Sequence, residues 1–239
     1  DEETIKDTAV AQPLIVAAGL VAAAALEADA AAPESTVVAG HSVGEITAAA
    51  VTGVLSPAEA LSLVRVRATG MARAAAATPT GMAAVVGGDQ DEVLAAGTAE
   101  ALGALAESAP ARARVIPLKV AGAFHTEHMR PAVDDLAAHV ADLSPSDPRL
   151  PLLSNRDGEA VESGTDVLAR IVDQVTRPVR WDLCMATMAT RQVTGVLELL
   201  PGGTLTGLAK RGLKGTAQLA VKTPEDLDAA RAFLAEHSA

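Results

Sequence analysis

Between a β-branched run, Ser35-Thr36-Val37-Val38-Ala39, and an alanine-rich stretch from Val43 to Val51, the chain reads Gly40-His41-Ser42-Val43-Gly44-Glu45. A strand that hands over to a helix across one G-x-S-x-G turn leaves few folds open. The serine must point out of a tight, often strained bend. Glycines two residues to either side remove side chains that would clash there. The helix that follows aims its free N–H groups and positive dipole end at the serine, so that the Val43 N–H can stabilise an oxyanion. Such a turn predicts an α/β chain in which Ser42 stands at a strand tip.

The flanking periodicities agree. Apolar spacing predicts a helix over Thr8–Glu27, broken at Ala31-Ala32-Pro33-Glu34. Ser56-Pro57 reads as N-cap and first position of a helix running to Ala77. Strands are expected at 82–86, 112–120, 150–154, 193–199 and 217–221, and helices at 126–142, 166–175 and 181–190. Asp89–Ala106 reads as helical with a break at Gly97-Thr98. Thr223-Pro224-Glu225-Asp226 opens the last helix. Strands that alternate with helices predict an α/β fold with a largely parallel sheet and flanking helices, an α/β-hydrolase-like core.

Composition removes several functions. The 239 residues are 49% hydrophobic, which excludes global disorder. A formal charge of −11, with two Phe, one Trp and no Tyr, argues against nucleic-acid binding, which needs a basic surface and stacking platforms. Cys184 is the sole cysteine, so no internal disulfide frames the fold, and a reducing cytoplasm is the expected location. The apolar stretch Pro13–Leu26 is mostly alanine and shorter than the roughly 20 residues of a membrane span, so no membrane association is expected. Cys184 itself reads as a buried core thiol.

A serine nucleophile needs a base. Of the five histidines, His41 neighbours Ser42 and points elsewhere, while His139 and His237 lie in polar helical stretches. His125 follows the apolar Val120–Phe124 segment at a strand tip, where functional side chains gather in open α/β sheets, and is favoured over His128. On the residues alone, Arg67 is one solvated helix arginine beside Arg65 and Arg73.

These motifs, taken in order, resemble the malonyl-CoA:acyl carrier protein transacylases and the acyltransferase domains of fatty-acid and polyketide synthases. Thr8–Leu14 resembles the family's T-x-x-x-Q-P segment, and Gly40–Glu45 its GHSxGE. Arg67 falls 25 residues after Ser42, at the spacing of the family's carboxylate-binding arginine. Gly122-Ala123-Phe124-His125, Gln174–Trp181 (Q-x-x-x-P-V-x-W) and Pro201–Leu208 complete the set. The resemblance implies ping-pong malonyl transfer from CoA to the phosphopantetheine thiol of acyl carrier protein. Ser42 would be the nucleophile, His125 the base and acid, and the Gln174 backbone carbonyl the group that orients it. Arg67 would hold the malonyl carboxylate, with Gln12, His41, Phe124 and Asn155 near the substrate, although Asn155 also suits a plain turn. Phe124 implies a preference for malonyl over branched malonyl groups. No metal or cofactor is implied. An acidic carrier protein would need a local basic patch, either Lys210, Arg211 and Lys214 or Arg177 and Arg180.

Two departures from the family pattern stand out. Asp1 falls in the region leading into the T-x-x-x-Q-P helix, beyond the family's first strand and its G-Q-G. Residues 88–98 are also shorter than the family's insert, so about half of a ferredoxin-like subdomain's sheet is expected to be missing. The implied organisation is a core of 1–80 and 119–239 with a small inserted subdomain at 81–118. Loss of an oxyanion donor leaves a catalytically weak truncated acyltransferase open, and a serine hydrolase or thioesterase is the other alternative.

Overall fold

The computed structural model describes residues 4–27, 36–87 and 90–237. The break expected at 31–34 and the residues Ser35, Gly88 and Asp89 lie outside them. After a short 3-10 turn at Thr4–Lys6, α1 spans Thr8–Glu27, β1 Val38–Ala39, α2 Gly44–Val51 and α3 Pro57–Ala77. The N-terminus of α3 is a complete capping box: Ser56 accepts from the Glu59 N–H while the Glu59 carboxylate accepts from the Ser56 N–H. Next come β2 (Thr80–Gly87), β3 (Gln90–Thr98), α4 (Ala99–Glu107) and β4 (Ala113–Pro117). A 3-10 turn at Glu127–Ala132 leads into α5 (Val133–Ala141), followed by β5 (Leu152–Leu153), β6 (Ala160–Val161), α6 (Gly164–Gln174) and α7 (Trp181–Thr190). The chain closes with β7 (Gly195–Glu198), α8 (Thr204–Gly212), β8 (Ala217–Ala220), a 3-10 turn at Pro224–Asp226 and α9 (Leu227–Glu236).

The α/β class holds, and the parallel pairing lies in two short pieces. β1 runs parallel to β5, with Val38 opposite Leu152, and β6 is antiparallel on the far side of β5. β7 and β8 form a separate parallel pair, Gly195 opposite Ala217. Helices surround both. The main core is aliphatic: Val16 of α1, Ile46 of α2, Leu63, Val64 and Met71 of α3, Leu136 of α5, and Leu168 and Ile171 of α6. With so few aromatics, close helix approach takes the place of ring burial. At Gly70 an added Cβ would lie 3.0 Å from the Ala132 Cβ, so α3 and the turn before α5 meet almost backbone to backbone.

Residues 90–98 correct the first part of the helical expectation for 89–106, while the part after the expected break at Gly97-Thr98 is helical, as α4. Residues 90–98 form a strand antiparallel to β2, from Thr80 opposite Thr98 to Val85 opposite Val93, and β4 pairs on the other edge of β2. The small sheet therefore has three strands in the order β3-β2-β4 and is more complete than expected. Asp91-Glu92-Val93-Leu94-Ala95-Ala96 carries no breaker and suits either state. Its pairing with β2 decides, a tertiary effect that overrides propensity. The helix at 204–212 and the two-residue strand β6 were not anticipated.

Helix α1 is long and apolar enough to cross a membrane by length and composition, contrary to the shorter reading of its apolar stretch. In the fold, its Val16, Ala22, Ala23 and Leu26 are buried.

Candidate active site

Ser42 sits in the turn between β1 and α2 with φ +54°, a left-handed conformation that is uncommon for a residue with a Cβ. Gly40 is needed there: a Cβ on it would lie 2.1 Å from the Gly44 carbonyl carbon. Gly44 has open space around its Cβ position, so crowding does not explain its glycine. Val43 is the N-cap of α2, so its N–H lies at the positive end of that helix.

The structure brings three expected residues into one relay. Ser42 Oγ lies 2.7 Å from His125 Nε2, and His125 Nδ1 lies 2.8 Å from the Gln174 carbonyl oxygen. A carbonyl only accepts, so the Nδ1 proton faces Gln174 and the Nε2 lone pair faces Ser42. His125 also has a left-handed backbone, φ +62°. Burial, with Arg67 nearby, lowers its pKa to about 4, so the imidazole is neutral at physiological pH. His128 instead lies on the following 3-10 turn.

Arg67, on α3, is buried, unlike the solvated arginine that its helix alone suggests. Its Nη2 donates to Gln174 Oε1 at 2.8 Å and approaches Ser42 Oγ at 3.3 Å, and its Nη1 donates to Gln12 Oε1. Its Nε is buried without a hydrogen-bond partner among the described residues. Burial lowers the guanidinium to about 10, against the charge of Glu45, so it remains a cation at neutral pH. A buried guanidinium beside a nucleophilic hydroxyl is a ready receptor for an anionic group on the molecule being attacked.

Asn155, just past β5, holds the serine turn from below. Its Oδ1 accepts the Ser42 N–H at 2.7 Å and its Nδ2 donates to the Gly40 carbonyl at 2.7 Å. It is therefore more than a turn residue. Glu45, the last residue of the Gly40–Glu45 motif, is buried in the first turn of α2. It accepts from the Asn155 N–H at 2.6 Å and from Gln174 Nε2. Burial pushes it up to about 7, opposed by those donors and by Arg67 and Arg170. Its signal was in plain view: an acidic residue directly after the G-x-S-x-G turn.

His41 meets the Trp181 ring edge-on at 5.7 Å, and burial lowers its pKa. Phe124 packs on the main core and, with Gln12, Thr8, Ala11, Lys119 and Val120, lines a cleft of about 440 Å3. Cys184 is buried, donates to the Ser154 carbonyl at 3.4 Å, and has its thiol pushed up to about 12 by burial.

The two basic patches differ. Lys210, Arg211 and Lys214 are exposed on α8 and just beyond its end. Arg180 is paired with Asp182 at 2.7 Å and Arg177 with Asp173 at 3.5 Å, so carboxylates offset the second patch.

The acyl transferase domain family matches residues 1–237. The malonyl CoA-acyl carrier protein transacylase of Mycobacterium tuberculosis strain H37Rv is 49% identical over 247 residues, 95% of this chain and 82% of that protein. The Bacillus subtilis protein of the same name is 28% identical and covers all of this chain and 83% of its own length. Among solved structures, MCAT from Mycobacterium tuberculosis superposes with a TM-score of 0.89 at 46% identity, covering 96% of this chain and 83% of that one. A malonyl-transacylase in complex with its type II PKS acyl-carrier protein gives 0.89 at 27% identity, covering 97% and 83%. By residues, geometry and likeness together, the chain belongs to the acyl transferase domain family.

Proposed function

We propose that the chain transfers a malonyl group from malonyl-CoA to the phosphopantetheine thiol of acyl carrier protein, through an acyl-Ser42 intermediate, for fatty-acid or polyketide synthesis. The observation that carries this reading is the buried Arg67 cation 3.3 Å from the same Ser42 Oγ that His125 holds. The relatives bearing the transacylase name support it.

Ser42 Oγ attacks the thioester carbon as His125 Nε2 takes its proton. The Gln174 carbonyl holds the Nδ1 proton and steadies the imidazolium that forms. The Val43 N–H faces the oxyanion. Collapse breaks the C–S bond, and His125 returns the proton to the departing CoA sulfur. The carrier thiol then repeats the sequence in reverse and regenerates Ser42. Arg67 pairs with the malonyl carboxylate, and Gln12 keeps its guanidinium in place. Phe124 limits room for an α-branch, and Asn155 and His41 shape the turn. No step requires a metal or cofactor.

We assign acyl carrier protein docking to Lys210, Arg211 and Lys214, three exposed basic residues within five positions on and just beyond α8. Residues 81–118 form the small subdomain on a core of 1–80 and 119–239. A buried thiol suits a cytoplasmic setting.

Intact-protein mass spectrometry after mixing with malonyl-CoA tests the reading. One malonyl adduct that requires Ser42 and leaves on addition of carrier protein is the expected result. Adduct lost to water as free malonate would favour a hydrolase. No adduct on folded protein would overturn both.

A further inference from the structure

Glu45 and Arg67 do not touch, yet one amide joins them. Gln174 Nε2 donates to Glu45 Oε2, and Gln174 Oε1 accepts from Arg67 Nη2 at 2.8 Å. Carboxylate, amide and guanidinium are all buried, so the chain of groups is a charge pair with an amide between its ends. Lone buried cations are unfavourable. In the absence of a substrate carboxylate, Glu45 supplies the balancing charge. Arg170 also faces Glu45, but it is already paired with Asp157 and Asp166, so a malonyl carboxylate on Arg67 would leave two buried negative charges sharing the Arg67 cation where screening is weak.

We propose that Glu45 is the resident counter-ion of Arg67 and surrenders that charge, by taking up one proton, when a substrate carboxylate arrives. The inference rests on the malonyl-transfer reading. The proton needs an acceptor, and Gln174 can supply one by turning its amide over. Oε1 then accepts from the new Glu45 O–H, and Nε2 turns to donate to the substrate carboxylate. The groups left behind keep a partner each: Arg67 Nη2 exchanges Oε1 for the substrate carboxylate, and of the two acceptors that Nε2 also reaches at 3.2 Å, the Ser42 carbonyl still accepts from the Glu45 N–H at 3.1 Å and Asn155 Oδ1 from the Ser42 N–H. Glu45 thus acts through Gln174 and is a positioning residue. It leaves the acyl transfer itself to Ser42 and His125.

The groups facing Glu45 are Arg67 from α3, Arg170 from α6 and the Cys184 thiol from α7, with His125 and His41 beside the serine turn. Both arginines stay cationic near pH 7. Cys184, at about 12, stays neutral, and His125, at about 4, is already neutral. His41 is lowered from its usual value. Glu45, at about 7, is therefore the group poised to change charge at neutral pH. A cavity of about 10 Å3 lies against Glu45 and is also lined by Ser154 and Arg170.

The acyl exchange is proton-neutral: Ser42 loses a proton and the CoA thiol gains it. Uptake from solvent during loading therefore reports a change in the protein. The test adds malonyl-CoA or acetyl-CoA to wild type and to Glu45→Gln in weakly buffered solution at pH 7.5, with an indicator dye and with adduct counted by mass. The expected result is uptake of about half a proton per malonyl loaded on wild type, and none with acetyl-CoA or with Glu45→Gln. A second measurement needs no variant. The wild-type equilibrium between malonyl-CoA and malonyl-enzyme should favour the enzyme less as pH rises from 7 to 8, by up to about tenfold per unit. Malonylation of Ser42 with no uptake and a flat equilibrium, or equal uptake by Glu45→Gln, would overturn this inference alone. Absence of malonylated Ser42 in wild type would overturn the transferase reading and this inference with it.

Discussion

Asn155 Oδ1 accepts the backbone N–H of Ser42 at 2.7 Å, so a side chain 113 residues away pins the serine turn. The Asn155 amide also ties down Gly40, and its own N–H reaches Glu45. Asn155→Ala is expected to lower stability by about 2 kcal/mol, because the buried Gly40 carbonyl and the half-buried Ser42 N–H lose their partners. Urea denaturation checks the stability. A stopped-flow malonylation assay should show a slower reaction even where the variant is folded.

His125 sets the low-pH limit of the reaction. Its folded pKa is about 4, below the usual 6.5, because burial and Arg67 disfavour the imidazolium. Single-turnover acylation should be insensitive to His125 between pH 6 and 8 and fall as pH drops toward 4. The same shift acts on folding. The unfolded histidine binds a proton below about 6.5 that the folded one refuses, so stability falls as pH drops through that window. A rate limb near 6.5 would show that the imidazole is not desolvated as the structure has it.

Arg67 should govern which acyl groups load. Arg67→Ala is expected to reduce the preference for malonyl-CoA over acetyl-CoA on the order of a hundredfold, since a buried charge-assisted pair is lost. Arg67→Lys should restore little, because an ammonium cannot span Gln12, Gln174 and a carboxylate as the planar fork does. Comparison of kcat/KM for the two thioesters decides the point. An unchanged ratio would favour a general serine hydrolase.

Helix α8 hangs on one carboxylate. Glu198 accepts from the N–H groups of Gly203, Leu205 and Thr206 and from the Thr206 hydroxyl, at 2.8–2.9 Å. Burial pulls its pKa upward, but those donors outweigh it and hold it below the usual value. Its contribution is thus present above the unfolded pKa and lost as pH falls through the folded one. Glu198→Ala is expected to cost about 1–2 kcal/mol. Because α8 carries Lys210 and Arg211, transfer to carrier protein should weaken while loading from malonyl-CoA persists. Charge reversal at Lys210 and Lys214 should raise the carrier protein KM in the same selective way, most visibly at low salt.

The parts of the fold written in local rules were legible. Ser56-Pro57-Ala58-Glu59 announces a capped helix start, and the structure has it. Gly40-His41-Ser42-Val43-Gly44 announces its own turn. Gln90–Thr98 is not legible in this way, because its residues suit helix or strand and the neighbouring β2 decides between them. Thr204–Gly212 passed unread because its anchor, Glu198, lies in the preceding strand. The site followed the same division. Ser42 and its turn were local, whereas His125, expected at a strand tip, lies in a turn beyond the end of β4 at Pro117, so the strand-tip argument does not account for its place. Arg67 on its helix looked like any solvated arginine, and its burial depends on α1, α6 and the serine turn meeting around it. The role of Glu45 needed Asn155 and Gln174, both distant in the chain.

Ser42 and His125 both occupy left-handed backbone conformations that suit glycine. Every molecule therefore folds against a local preference at the two positions where the proposed chemistry occurs. Ser42→Gly should unfold at a higher temperature than the parent, by the equivalent of about 1 kcal/mol, while losing the ability to carry an acyl group. A library screened for heat resistance alone would discard this serine early. Its retention would then mark selection for turnover over robustness.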